Sequence, residues 1–189
     1  MIYKQPSVPR LFDRPIQNLQ DALGGLSWMD NVYGRCERLV KEKDGRRTYT
    51  PNAYKGNGDY ILLTPDEVAH GNYCFFVMEE PETVGVSMGV QSRIRAPFSL
   101  IVWVDMRKVG HEADDRNIYQ VEAEVLECIG VGGVLKSGSI QVSKVYHHAE
   151  NVFQGFSLDE VDNQFMMSPF AGFRITGELI ITEDCLNVT

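Results

Sequence analysis

The stretch FSLIVWVD, Phe98 to Asp105, follows Pro97 and holds large apolar residues at adjacent positions rather than alternate ones. Successive side chains of a strand point to opposite faces of a sheet, so a strand with one wet face alternates apolar and polar residues. A short apolar run without alternation, bounded by proline, predicts a central strand covered on both sides. The rest of the chain then has to supply cover for two faces of one sheet.

Downstream, Ile118, Val121, Val125 and Ile129 recur at three- and four-residue steps. They mark the buried stripe of a helix that Asp114 or Asp115 can cap and Gly130 ends, and that is expected to pack on the central strand. Ser139 to Tyr146 reads as a strand, and Ser157-Leu158-Asp159-Glu160 as a capping box for a short helix running to Phe165 and Met166. Near the end, Phe173, Ile175, Gly177, Leu179 and Ile181 fall on one face while Arg174, Thr176, Glu178 and Thr182 fall on the other, the pattern of a half-buried antiparallel strand.

Upstream, Tyr73 to Met78 is a further strand, and Thr64-Pro65-Asp66-Glu67 reads as a capping box opening a helical turn. Asp44-Gly45 suits a two-residue hairpin in which both positions take positive φ, so Tyr33 to Tyr49 predicts two antiparallel strands. Ile16, Leu19, Leu23 and Leu26 form the apolar face of a helix that starts at Asp13, with Pro15 tolerated in its first turn. Residues 1–12 read as an extended arm. The sum is a single α+β domain over residues 1–189, a mainly antiparallel sheet with helices packed mostly on one face.

The chain has 18 basic and 26 acidic residues, a net charge of −8 that repels phosphate and argues against tight nucleic-acid binding. No apolar run reaches the roughly 18 residues of a membrane-spanning helix, so no membrane partner is expected. The opening MIYKQPSVPRLFDRP lacks the unbroken apolar segment of a secretory signal, which predicts a cytoplasmic protein. Cys36, Cys74, Cys128 and Cys185 stand far apart with no CxxC pair, as isolated reduced thiols do.

One segment matches a catalytic pattern. GVSMG, Gly85 to Gly89, fits the G-x-S-x-G elbow with Ser87 as nucleophile, and Asp114 or Asp115 and then His147 or His148 follow in hydrolase order. The elbow needs a helix directly after the serine, and VQSRIRAP carries no helical stripe, so a small serine hydrolase is kept only as the alternative. Neighbouring His147 and His148 point apart on a strand or a helix and do not readily share a metal; no metal or cofactor is expected. Glu79-Glu80 and Glu183-Asp184 read as solvated charges. Arg35, Arg38, Lys41, Lys43, Arg46 and Arg47, interrupted by Glu37, Glu42 and Asp44, decorate a solvated hairpin or, if the hairpin acts, an arm toward an acidic partner.

Phe165, Met166, Met167 and Phe170 are more large apolar groups than a short turn and the start of a strand need. They are either core or a contact between subunits. The order of elements resembles the tail terminator and tail-completion proteins of long-tailed bacteriophages and prophages. RPIQNLQDALGGLSWMDNVYGR, the Asp44-Gly45 hairpin, SLIVWVD with the DDRNIYQVEAEVLECIG helix, and GFRITGELIIT carry that resemblance. The chain is longer than a minimal member, with Gly132 to Gln154 hard to place. The resemblance implies a non-enzymatic ring, typically of six copies, that stops growth of the tail tube and joins it to the head. Its partners would be further copies of itself and tail-tube or head-connector proteins; another phage or mobile-element structural protein is a third class.

Overall fold

The structure, a computed structural model, describes residues 1–66, 69–80, 83–86, 92–109, 117–130, 134–135 and 138–182. In chain order the strands are β1 (Ile2–Tyr3), β2 (Asn31–Lys43), β3 (Arg46–Gly56), β4 (Asp59–Leu62), β5 (Tyr73–Met78), β6 (Thr83–Val86), β7 (Ser92–Asp105), β8 (Val134–Leu135), β9 (Gly138–Tyr146) and β10 (Phe170–Thr182). The helices are α1 (Asp13–Leu23), α2 (Ile118–Cys128) and α3 (Ala149–Val152). The strands join in the order β4-β3-β2-β5-β7-β10-β9-β8, with β1 beside β2 and β6 beside β7. β2 runs parallel to β1 and β5, and the other described pairings are antiparallel. The fold is α+β.

β7 is the central strand its sequence predicts. From Phe98 to Asp105 no residue is more than 4% exposed. Leu100, Val102 and Val104 enter a cluster with Val32, Cys74, Phe76, Phe173, Ile175 and Leu179, covered by Ile16, Leu19 and Leu23 of α1 and by Val121 and Val125 of α2. Ile101 and Trp103 enter a second cluster with Tyr33, Tyr73 and Phe75, covered by Val152 of α3 and by Phe153. Helical residues thus contribute to both clusters. The indole of Trp103 lies so close over Gly172 that any Cβ there would collide with the ring and with the Val102 carbonyl.

Several local expectations change. Asn117, not Asp114 or Asp115, caps α2, in a reciprocal capping box with Gln120; residues 110–116 lie outside the described residues. The turn expected from Thr64 falls partly on residues 67–68, outside the described residues; the Asp66 carboxylate accepts the Ala69 amide at 3.0 Å. Ser157 caps no helix, because its hydroxyl and amide bind Tyr49 of β3, and Asp162 caps the 3-10 turn Asn163–Met166. The extended first residues are anchored: β1 pairs with β2, and Tyr3 stacks on Tyr33 with ring centroids 4.7 Å apart.

β10 departs most from its sequence pattern. It lies between β7 and β9, and its nominally polar face includes Arg174 at 6% exposure. A buried guanidinium must have its donors satisfied. Arg174 Nε donates to Ser99 Oγ at 2.8 Å, Nη1 donates to the Gln154 carbonyl at 3.1 Å, and Nη2 binds the Glu79 carboxylate. Ser99 Oγ also donates to Glu79 at 2.9 Å. Glu79 is therefore a structural counter-ion rather than a solvated strand-end charge. The network also ties the segment after α3 to the second face of the sheet.

Two stability effects follow. Leu179→Ala removes a side chain with 0% exposure and should cost about 2 to 5 kcal/mol in urea denaturation. Arg174→Met should cost about 2 to 3 kcal/mol, short of a fully buried pair because the Glu79 side chain keeps 37% exposure and recovers water. An unchanged urea midpoint in either variant would contradict the packing described.

Candidate assembly surface

β2 and β3 outrun the sheet. β2 is registered to β5 only as far as Arg35 opposite Phe76, and β3 to β4 only from Asn52 onward. Between these limits each strand has the other as its only strand partner among the described residues, up to Lys43 opposite Arg46. From Glu37 to Lys43 this two-stranded arm reaches about 23 Å at the usual strand rise of about 3.3 Å per residue. Asp44 and Gly45 close it with φ of 53° and 74°, as the hairpin reading requires.

Opposed residues share a face, so the arm has two distinct sides. One carries Leu39, Lys41, Arg46, Thr48 and Thr50. The other carries Arg38, Val40, Glu42, Arg47 and Tyr49, with Arg38 stacked 4.0 Å over the Tyr49 ring and Arg47 3.3 Å from Glu42. Val40 is 56% exposed between these arginines. An isolated two-stranded ribbon is marginal in water, and this one is braced along β3: the Ser157 amide donates to the Tyr49 carbonyl at 2.7 Å, and Arg46 meets Asp159 at 2.8 Å.

A cavity of about 290 Å³ opens beside that brace, walled by the first side of the arm, the turn at Thr64 to Asp66, and the segment from Ser157 to Phe165. Asp66, Asp159, Glu160 and Asp162 line it, together with apolar Leu62, Val161 and Phe165. Asp162 accepts the Gln164 amide at 3.1 Å and Asp159 holds Arg46, whereas exposed Glu160 has no ion pair among the described residues.

The expected apolar cluster divides at this point. Phe165 forms cavity wall and meets Phe170 edge-on at 5.4 Å, while Met166 and Phe170 pack against the second core cluster. Met167 turns outward and is 64% exposed. Arg107 lies 5.5 Å above the Phe170 ring and grips buried Asp105 through Nε at 2.9 Å and Nη2 at 2.8 Å. These hydrogen bonds from Arg107 hold the Asp105 carboxyl below its ordinary value of 3.8.

Ser87, Asp114, Asp115, His111, Cys185 and the Glu183-Asp184 pair lie outside the described residues. The described element that follows β6 is a strand, β7, with Val86 opposite Ser92. His147 Nε2 lies 3.0 Å from Glu122, and His148 precedes α3. His70 sits 2.9 Å from Tyr33 Oη, and burial lowers its pKa. Burial pushes the Cys36 thiol up to about 12 and raises Cys74 as well. Among the described residues no group of three His, Cys, Asp or Glu side chains is placed to hold a metal, and no helix is long and apolar enough to cross a membrane.

Sequence reading identified the arm's charges but missed the cavity and its tie to the arm. The only available signal was the acidic run from Asp159 to Asp162, about a hundred residues from its partner strand. No protein-family model matches this chain, and no curated protein matches its sequence.

The Asp105 grip has a pH signature. A carboxylate with a depressed folded pKa adds stability that is complete above its ordinary value and is lost as pH falls through the lower folded value. Asp105→Asn should therefore flatten the stability loss of the wild type below about pH 3.8. Parallel acid limbs in thermal melts of the two proteins would show that the pair contributes nothing.

Proposed function

We propose that this protein is a non-enzymatic assembly component of the tail terminator or head-tail joining type, acting as a ring of identical copies on a phage tail tube. The observation that carries this reading is the β2–β3 arm. It extends beyond the sheet, exposes Val40 between charged neighbours, and among the described residues is braced along β3. A ribbon of that kind gains most when a neighbouring subunit covers its free side. Exposed Met167, beside the second core cluster, offers a further apolar contact.

The order of described elements supports the same reading: α1, then the β2–β3 hairpin, the apolar strand β7, α2, and the return to the sheet at β10. The acidic balance also suits a channel for DNA, because a wall with little affinity for phosphate lets the duplex slide. On this reading the partners are further copies of the chain and tail-tube or head-connector proteins. The protein is made in the cytoplasm and ends in the virion.

Sedimentation velocity over a wide concentration range tests the proposal. The expected result is a discrete closed oligomer in equilibrium with monomer, visible as rings by negative-stain electron microscopy. A chain that stays monomeric at the highest concentration reached would refute self-assembly.

A further inference from the structure

We infer that the cavity between β3 and the Ser157 to Phe165 segment receives a basic side chain, foremost Arg47, from the β2–β3 arm of a second copy of this chain. The inference rests on the assembly reading and specifies its contact.

The cavity lining matches such a group. Leu62, Val161 and Phe165 supply apolar wall for the methylene stem of an arginine, while carboxylates supply acceptors for its head. The chain already makes this contact once: Arg46 meets Asp159 at 2.8 Å on the near side of the same cavity. Glu160 is exposed there and has no ion pair among the described residues.

The donor is equally specific. Residues 37–47 hold five basic and three acidic side chains, a net +2 in a chain of net −8, so the arm is the basic projection of an acidic body. Its cavity side forms the wall of its own cavity, with Arg46 held by Asp159, and the opposite side, with Arg38, Val40 and Arg47, faces away from that cavity. The guanidinium of Arg38 is stacked on Tyr49, whereas Arg47 is 66% exposed and, among the described residues, held only at 3.3 Å from Glu42 across the ribbon. An exposed pair of that kind is weak and readily exchanged for another carboxylate. A second copy provides that carboxylate in a water-excluding setting. A nucleic acid would use the same guanidinium, but four carboxylates beside the arm's β3 strand oppose a polyanion and favour the acidic partner.

Because the arm of one copy would enter the cavity of the next, the contact is head-to-tail and propagates around a ring. Charge reversal in trans tests this. Both positions are exposed, so Arg47→Glu and Glu160→Arg should each keep the wild-type circular dichroism, with at most a small drop in melting temperature for Arg47→Glu, which places a glutamate opposite Glu42. Each variant alone should self-associate at least about tenfold more weakly than wild type, because like charges then meet at every contact. An equimolar mixture of the two should regain the wild-type oligomer, since each arm then finds an opposite charge, and so should the double variant. If wild type assembles and either reversal leaves its affinity unchanged, the docking inference fails while the assembly reading stands. Failure of the mixture to recover, or loss of binding to a DNA duplex probe with assembly intact, would likewise overturn it. A monomeric wild type would remove the assembly reading itself.

Discussion

The fold depends on the thirteen-residue ladder between β7 and β10, from Phe170 opposite Asp105 to Thr182 opposite Arg93. It places two strands that are remote in sequence at the centre of the sheet and fixes which residues face each cluster. A slip of one residue would exchange Phe173, Ile175 and Leu179 with Arg174, Thr176 and Glu178. That exchange would bring charge into the first cluster and bulk into the space where Trp103 lies over Gly172. Register is held from both sides, by apolar packing on one face and by steric exclusion at Gly172 on the other.

Arg174 shows how the two faces differ. The first cluster is assembled from apolar strand side chains covered by aliphatic residues of α1 and α2, and it is held mainly by packing. The second cluster is smaller and is flanked by a buried cation whose acceptors come from Glu79 just after β5, from Ser99 of β7 and from the segment after α3. Directional hydrogen bonds substitute there for the cover that a long helix supplies opposite. The segment that continues from α3 forms the brace of the arm and the wall of the cavity, so the polar network positions the surface where assembly is proposed.

The elements that sequence showed most clearly were those whose signal is local. Unalternating FSLIVWVD, the stripe of Val121 and Val125, the Asp44-Gly45 turn and the alternation from Phe173 to Ile181 each report burial or backbone angle at their own positions. Capping was less legible, because Asp114, Asp115, Asn117, Ser157 and Asp162 all offer a suitable side-chain oxygen, and tertiary contacts decided among them. The burial of Arg174 could not be read at all, since its acceptors lie 75 and 95 residues away at Ser99 and Glu79. The cluster from Phe165 to Phe170 illustrates the same limit, as hydrophobicity alone does not show that Met166 turns inward and Met167 outward.

The brace of the arm also bears on the timing of folding. The β2–β3 ribbon closes through a two-residue turn, so its own ladder is local and forms on the scale of microseconds. Its lateral supports, Ser157 against Tyr49 and Asp159 against Arg46, are separated from it by 108 and 113 residues. On a ribosome the hairpin therefore emerges long before the chain that steadies it, and loop-closure entropy delays the junction further. A nascent chain carries an unsteadied arm and an unbuilt cavity, so a copy becomes competent to join others only once its own sheet has closed.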